Sequence, residues 1–317
     1  MNYIQQAYKS EFAFWKYLII PLGFFGLMVL NYLVIELLNL DVDAVIKNEI
    51  EKKGENRFLI ETLAPLAAGL VLLLLWVKYI HKQSIRSLTT SRKKVDWKRI
   101  WFAFFLWGII SSGFIFIDYY LAPEDYIYNF KLVPFITLCV IAIILVPLQT
   151  SFEEYLFRGY LMQGLGVVTK SKLIPLITTS VIFGLLHIAN PEIEKLGYVL
   201  LIYYIGTGLF LGIITLMDEG LELALGFHAA NNLFTALLVT ADWTAFQTNS
   251  LFKDISDPET AGFLEIFMPV FIVFPILIFI FAKKYNWTNW NDKLFGKVSE
   301  PTEEELSTNN VVYDSET

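Results

Sequence analysis

Eight long stretches of this chain contain almost no charged residue, and this pattern limits the possible fold more than any other feature. A helix needs about 20 mostly apolar residues to cross a bilayer, because the hydrocarbon core is about 30 Å thick and each residue rises about 1.5 Å. Backbone groups in lipid must be hydrogen-bonded within the segment, which favours helices. The sequence therefore predicts an all-α polytopic membrane protein, a bundle of about eight transmembrane helices. The predicted spans are 17–35, 62–77, 100–117, 132–152, 173–188, 196–217, 223–241 and 266–282.

The composition agrees with this fold class and excludes others. Of 317 residues, 56% are hydrophobic and 17% charged, whereas a soluble domain has about 45–50% apolar and 25% charged residues. The one cysteine, Cys139, excludes a disulfide framework. It lies in the middle of a span without a polar partner, so we expect it to serve only in packing. The net charge of −7 owes most to six acids in residues 298–317, so it gives no indication of a nucleic-acid partner.

The segments outside the spans suggest a simple domain plan. We predict a cytoplasmic N-terminus at 1–13, one transmembrane domain at 14–282 and an acidic, disordered cytoplasmic tail at 283–317. Eight crossings place both termini on one side. If that side is the cytoplasm, the inner segments hold 17 Lys and Arg residues and the outer segments hold seven. An excess of basic residues marks the cytoplasmic side, so the count supports this orientation.

Polar residues inside spanning segments are costly and rare, so each is a candidate for function. They are concentrated in the second half of the chain. The helix of the fourth span continues past residue 152 into Glu153, Glu154 and Arg158. His187 lies at the end of the fifth span, and His228 and Asn232 lie within the seventh. The third histidine, His81, lies in a basic loop, where we expect a solvated side chain.

Helical spacing indicates which of these side chains share a face. Glu154 and Arg158 are four residues apart and can form an ion pair, whereas Glu153 is rotated by about 100° and can point toward a cavity. His228 and Asn232 are also four residues apart. Each group alone also fits a structural role, either an interfacial ion cluster or hydrogen bonds between packed helices.

The depths of the residues favour one shared site. Glu153 lies 16 residues before the turn at Thr169, and His187 lies 18 residues after it. Both are therefore about 24–27 Å from the turn. Glu153 and His187 can lie at the same depth as His228 only if the hairpin around residues 161–172 projects beyond the bilayer. The site is then predicted to lie toward the cytoplasmic side.

A carboxylate, two imidazoles and an amide suit two chemistries. In the first, a Glu/His pair activates a water and a His/Asn pair donates hydrogen bonds to a developing oxyanion. In the second, a divalent metal such as zinc is held by Glu153, His187 and His228. Asn232 is a poor zinc ligand and a good oxyanion donor, which favours the first chemistry.

These motifs resemble those of the CPBP intramembrane proteases, a family that includes the CAAX prenyl endopeptidases and bacterial bacteriocin-processing and self-immunity proteins of the Abi type. The family pattern EExxxR, FxxxH and HxxxN is similar to three segments in this chain, in the same order. They are Glu153-Glu154-Tyr-Leu-Phe-Arg158, Phe183-Gly-Leu-Leu-His187 and His228-Ala-Ala-Asn-Asn232. The resemblance covers about residues 130–240 and looks like that of bacterial members.

The resemblance implies hydrolysis of a peptide bond in a membrane-associated or lipidated peptide or protein. By carry-over, Glu153 and His187 activate the water, while His228 and Asn232 stabilise the oxyanion. Glu154 and Arg158 then support the site. A bacterial member implies the inner (plasma) membrane, with the lipid bilayer and a peptide substrate as partners.

Several alternatives stay open at this point. The resemblance does not decide between a glutamate-dependent and a metal-dependent enzyme, and it leaves the oligomeric state and the substrate open. A non-catalytic membrane adaptor or bacteriocin self-immunity protein could retain the motifs as a scaffold. A transporter is less well supported, because it would be expected to show inverted repeats and several interrupted helices.

Overall fold

The computed structural model describes residues 1–258 and 263–310, and most of them are helical. The longer helices are α1 Lys16–Leu37, α2 Val42–Lys53, α3 Glu55–Tyr79, α5 Trp97–Leu121, α6 Leu132–Glu154, α8 Leu173–Leu185, α10 Leu200–Asp218, α11 Glu222–Leu238 and α13 Phe274–Tyr285. The shorter ones are α4 Ile85–Thr89, α7 Met162–Thr169, α9 Pro191–Leu196, α12 Phe263–Met268, α14 Trp290–Phe295 and α15 Glu303–Asn310. Two 3₁₀ segments, Ile4–Lys9 and Pro123–Asp125, and two π-helical segments, Tyr155–Leu161 and Pro269–Val273, complete the helical elements.

The chain is an all-α polytopic membrane protein, as the sequence predicts, but only six helices of the described residues are long and apolar enough to cross a bilayer. The two remaining predicted spans are shorter. Helix α8 has 13 residues and α11 has 17. Helix α8 stops before His187 because a turn leads into Pro191, which fixes Asn190 in an extended conformation.

One helical stretch is much longer than a bilayer. Helix α6, the π-helical segment Tyr155–Leu161 and α7 form a continuous 38-residue rod, Leu132–Thr169, about 55 Å long. A rod of this length extends beyond a hydrocarbon core of about 30 Å. The stretch therefore has the length that the predicted projecting hairpin requires.

Helices α5, α6 and α11 pack closely and carry most of the candidate site. A Cβ atom on Gly226 of α11 would lie 2.1 Å from the backbone oxygen of Ile100 in α5. Only glycine permits this approach. The close contact lets polar side chains near the middle of α11 reach both neighbouring helices.

A small sheet closes one end of the bundle. Strands β1 Tyr126–Tyr128, β2 Val239–Ala241 and β3 Phe252–Asp254 lie in the order β1-β3-β2, with an antiparallel β1–β3 pair and a parallel β2–β3 pair. Because β1 follows α5 and β2 follows α11, the sheet joins the C-terminal ends of two helices whose N-terminal halves approach the site.

The opposite end of the bundle is covered by what we call the end cap, residues 1–15, 80–96 and 286–299. The Tyr3 hydroxyl lies 2.7 Å from the Leu88 carbonyl and 3.1 Å from the Arg158 carbonyl. The Gln163 amide donates to the carbonyls of Tyr3 and Ser87. The cap therefore contacts the π-helical segment that contains Arg158.

The predicted disordered tail is folded over much of its described part. The backbone of Val298 donates to Lys170, that of Lys172 donates to Gly296, and the Trp287 indole donates to Asp218. Trp287 and Val298 are buried, because apolar residues spaced along this segment find a surface on α8 and α10 that the sequence alone does not show. Of the six acids in residues 298–317, Asp314 and Glu316 lie outside the described residues.

His81 is also placed differently from the expectation. Its side chain is fully buried rather than solvated, and its ring lies 4.3 Å from the ring of Tyr17. Its Nε2 atom is 2.8 Å from the Tyr160 hydroxyl. The end cap covers the loop that the sequence suggested would be exposed.

Candidate active site

The two adjacent glutamates end α6, and the helix widens directly after them. The π-helical segment begins at Tyr155; such segments are rare and are often found at functional sites. Glu154 Oε1 lies 2.9 Å from Arg158 Nη1, and both side chains are fully buried. The ion pair expected from the spacing is therefore present.

Neighbouring helices hold the arginine in place. Arg158 Nη2 donates to the Gly208 carbonyl of α10 at 3.2 Å. The guanidinium lies over the Phe183 ring of α8, 4.3 Å from its centroid, which is a favourable cation–π distance. Arg158 thus connects three elements, and its position fixes that of Glu154.

His228 lies between the two glutamates. Its Nδ1 atom is 2.7 Å from Glu154 Oε1, and its Nε2 atom is 3.5 Å from Glu153 Oε2. The first distance is that of a hydrogen bond and the second is longer than one. Glu153 is the more accessible of the two glutamates, since 18% of its side chain is exposed and none of the Glu154 side chain is.

A chain of hydrogen bonds connects three helices and ends on Glu153. The Trp107 indole donates to Asn231 at 3.0 Å, Asn231 to Asn232 at 3.1 Å, Asn232 to Gln149 at 3.3 Å, and Gln149 to Glu153 Oε1 at 2.7 Å. An indole can only donate and a carboxylate can only accept. The two ends therefore fix the orientation of all three amides between them.

His187 lies at the edge of this network. Its Nδ1 atom is 2.9 Å from the Phe183 carbonyl, and its ring stacks on Tyr204 with the centroids 4.1 Å apart. Because a carbonyl only accepts, Nδ1 carries the proton and Nε2 is left as the acceptor in the neutral ring. Phe183 separates the two histidines, with its ring centroid 5.0 Å from that of His187 and 6.0 Å from that of His228.

The structure therefore brings five of the six predicted residues into one network and leaves the sixth beside it. Glu153, Glu154, Arg158 and His228 are in direct contact, and Asn232 joins through Gln149. No hydrogen bond or ion pair joins His187 to Glu153 among the described residues.

The arrangement does not match the three-ligand metal site considered from the sequence. Among residues 1–258 and 263–310, no group of three or more His, Cys, Asp and Glu side chains is placed to hold a metal ion. His187 is turned onto Tyr204, and Nδ1 of His228 is bonded to Glu154.

Sequence reasoning missed three members of the network, Gln149, Trp107 and Asn231. Asn231 was missed because helical spacing turns it about 100° away from the face of His228 and Asn232. Gln149 lies one helical turn before Glu153, and as a polar residue inside a charge-free span it gave a signal that could have identified it. Trp107 gave none, because an indole in a membrane helix is equally consistent with packing. Its hydrogen-bond partner, Asn231, becomes evident only from the packing of α5 against α11.

Known proteins are similar to the part of the chain that carries the candidate site. Residues 129–234 match the family model described as type II CAAX prenyl endopeptidase Rce1-like. The chain is also 36% identical over 165 residues to the uncharacterized protein YyaK of Bacillus subtilis (strain 168), a match that covers 52% of this chain and 55% of the relative. The chain thus spans about half the length of that relative. No solved structure matches the chain significantly.

The matched region contains all of α6 and α8 and the part of α11 that carries the candidate site. Every motif residue from Glu153 to Asn232 lies inside it, whereas Trp107 lies outside. Residues 129–234 of this polytopic membrane protein are therefore similar to the Rce1-like type II CAAX prenyl endopeptidases.

Proposed function

We propose that the chain is a membrane-embedded endopeptidase that cleaves a membrane-associated or lipidated peptide. The observation that carries the proposal is the placement of Glu153. It is a partly exposed carboxylate, anchored through Oε1, that faces an imidazole through Oε2. Its buried neighbour Glu154 is already paired with Arg158, so only Glu153 is free to take part in proton transfer.

In this proposal Glu153 takes a proton from the attacking water. His187 helps to orient that water by accepting a hydrogen bond at Nε2. The hydroxide forms a bond to the scissile carbonyl carbon, and the carbonyl oxygen becomes an oxyanion. In its imidazolium form His228 donates to that oxyanion from Nε2 while Nδ1 donates to Glu154. The amide of Asn232 lies on the same side of α11 as a second donor. Collapse of the intermediate breaks the C–N bond, and the proton held by Glu153 passes to the leaving amine.

His187 requires a small adjustment to act in this way. Its ring is held by Phe183 and Tyr204, and catalytic contacts are often long until substrate binds. A peptide seated between Glu153 and His187 would be contacted from both sides.

The test uses the full chain in lipid nanodiscs and an internally quenched peptide that ends in a farnesylated Cys, two aliphatic residues and one further residue. The same peptide without the farnesyl group is assayed in parallel. We expect Glu153→Gln to lower kcat by about 10²–10⁴, the usual contribution of a general base. Asn232→Ala should lower kcat by about 10²–10³, as for the loss of one oxyanion donor.

The matched control is Glu124→Gln, which neutralises an exposed carboxylate outside the site. It should leave kcat unchanged. Hydrolysis by Glu153→Gln at the wild-type rate would refute the enzymatic proposal. Unchanged biological activity of that variant in cells would support the adaptor or immunity protein instead.

We further propose that the protein lies in a bacterial plasma membrane with both termini and the site toward the cytoplasm. The excess of basic residues on that side supports the orientation. Because Cys139 is the one cysteine, a Cys139→Ser background allows single cysteines to be labelled. A membrane-impermeant maleimide added to intact cells should label Lys47→Cys and not Lys93→Cys; the reverse pattern would invert the topology.

A further inference from the structure

A groove on the outer surface of the bundle is separate from the candidate active site. It lies between α5 and α13, has a volume of about 790 Å³ and is lined at one end by Lys98, Arg99 and Lys284. Apolar side chains line the rest, and Trp101, Phe105 and Ile109 are each at least half exposed. The groove therefore combines a basic end with an apolar channel.

The positive charge at the basic end is only partly neutralised. Asp96, the one acid in the lining, is paired with Arg99, and Arg99 is also bound to Asp218. Lys98 and Lys284 form no ion pair with any residue that the structure describes. Two ammonium groups at the mouth of one groove are thus left for an external anion.

Aromatic rings contact the basic side chains at this end of the groove and restrict their positions. Lys284 Nζ lies 4.1 Å from the centroid of the Phe102 ring, and the Arg99 guanidinium lies 3.9 Å from that of Tyr285. Trp101 stacks on Phe105, with the ring centroids 5.7 Å apart. These contacts restrict side chains that would otherwise be mobile, so less ordering is needed when a ligand binds.

The length and depth of the groove match one leaflet of a bilayer. Lys98, Trp101, Phe105 and Ile109 form a stripe along one face of α5, and Lys98 and Ile109 are separated by about 16 Å. Half of the hydrocarbon core is about 15 Å thick. Lys98 lies just before the charge-free part of α5 and Lys284 just after that of α13, so both lie at the level of lipid headgroups.

We infer that this groove binds one anionic phospholipid, with its phosphate between Lys98 and Lys284 and an acyl chain along Trp101, Phe105 and Ile109. Basic pockets between membrane helices bind anionic headgroups through such contacts. The apolar stripe favours a lipid over free phosphate, which would leave the stripe unused. The inference does not depend on the proposed peptidase activity.

The test measures lipid binding to the full chain purified in a neutral maltoside detergent. Native mass spectrometry counts bound molecules during titration with dioleoylphosphatidylglycerol or dioleoylphosphatidylcholine, and thermal unfolding reports stabilisation. We expect the anionic lipid to bind on the order of tenfold more tightly. This preference should be lost in the double variant Lys98→Gln/Lys284→Gln and should weaken as salt is raised.

The matched control is Lys93→Gln/Lys94→Gln, which removes the same charge from exposed positions in the loop before α5. It should keep the preference. Equal loss in both double variants would indicate diffuse attraction and overturn the inference. Equal stabilisation by sodium phosphate at the same concentration would overturn the assignment to lipid, as would equal binding of the two lipids to the wild type.

Discussion

At the scale of single residues, Glu153 and Glu154 have the same chemistry and different surroundings. Glu154 is fully buried and shares Oε1 between Arg158 and His228. Each glutamate has an Oε2 atom without a direct hydrogen bond among the described residues, but that of Glu154 is buried, whereas 18% of the Glu153 side chain is exposed. The buried Glu154 must stay paired with a positive charge, whereas the partly exposed Glu153 can exchange a proton. Structural and reactive roles are thus divided between two neighbours.

The buried pair gives a prediction about stability. Arg158→Met should lower the free energy of unfolding by about 3–5 kcal/mol, because it leaves Glu154 buried without its counter-charge. Thermal unfolding of the purified chain in detergent measures the effect. Glu153→Gln should change the midpoint far less, since it removes no buried charge pair. Equal midpoints for Arg158→Met and the wild type would contradict the structural role.

The hydrogen-bond chain from Trp107 to Glu153 gives a prediction about turnover. Trp107→Phe removes the indole donor and keeps an aromatic ring, and Gln149→Leu removes the last amide. Each should lower kcat with little change in KM, because Glu153 and Asn232 lose their fixed orientation. The double variant should lose little more than Gln149→Leu alone, since both changes break the same chain.

The control for this series is Trp97→Phe, an exposed tryptophan at the start of the same helix, which should leave kcat unchanged. A merely structural role of Trp107 and Gln149 would give additive losses in kcat that follow the losses in stability. Such additivity would refute the orienting role.

At the scale of elements, the site depends on close contact between α8 and α10. A Cβ atom on Gly208 would lie 2.8 Å from the Ser180 carbonyl oxygen, so a side chain there must push the two helices apart. The Gly208 carbonyl also accepts the bond from Arg158. Packing and the position of the arginine are therefore coupled at one residue.

We expect Gly208→Ala to destabilise the protein by about 1–3 kcal/mol through overpacking and to lower turnover as well. The matched control is Gly113→Ala in α5, where a Cβ would meet nothing within 4 Å. That change should stabilise the helix by up to about 1 kcal/mol. Thermal unfolding measures both variants, and the expectation fails if their midpoints move in the same direction.

At the scale of the whole molecule, the end cap joins distant parts of the chain around the rod that carries the site. The Tyr160 hydroxyl donates to the Lys16 carbonyl at 2.7 Å and accepts from the Trp76 indole at 3.1 Å. The nearby Nε2 atom of His81 then donates to the same oxygen. Its Nδ1 atom is buried without a hydrogen-bond partner, so a second proton on this ring would have no acceptor.

This arrangement predicts loss of stability in acid. Burial, with Lys16 nearby, lowers the pKa of His81 to about 4, whereas an unfolded histidine has a pKa of about 6.5. Above pH 6.5 the ring is neutral in both states. Between about pH 6.5 and 4 only the unfolded state takes up the proton, so the free energy of unfolding falls as the pH falls.

The measurement compares the midpoint of thermal unfolding of the wild type and His81→Gln across this range. The difference between the two proteins isolates His81 from the other titrating groups. The wild type should lose more stability than the variant on acidification. Parallel curves would show that His81 does not titrate differently on folding.

The fold class and the six candidate residues can be predicted from the sequence alone. Charge-free runs of membrane length require helices, because lipid offers no partner for an unpaired backbone group. Ionisable groups inside such runs are too costly to be incidental, which identified Glu153, Glu154, Arg158, His187 and His228. The Glu154–Arg158 pair also followed from spacing alone. These conclusions rest on local properties of the chain.

The tertiary structure alone decided which of these residues meet. The contact of His228 with both glutamates, the connection through Gln149 to Trp107 and the position of His187 beside Tyr204 depend on how α5, α6, α8, α10 and α11 approach one another. The burial of His81 and the folding of residues 286–299 likewise depend on partners that are distant in the sequence. Helical periodicity fixes the face on which a side chain lies, and packing between helices determines what that face contacts.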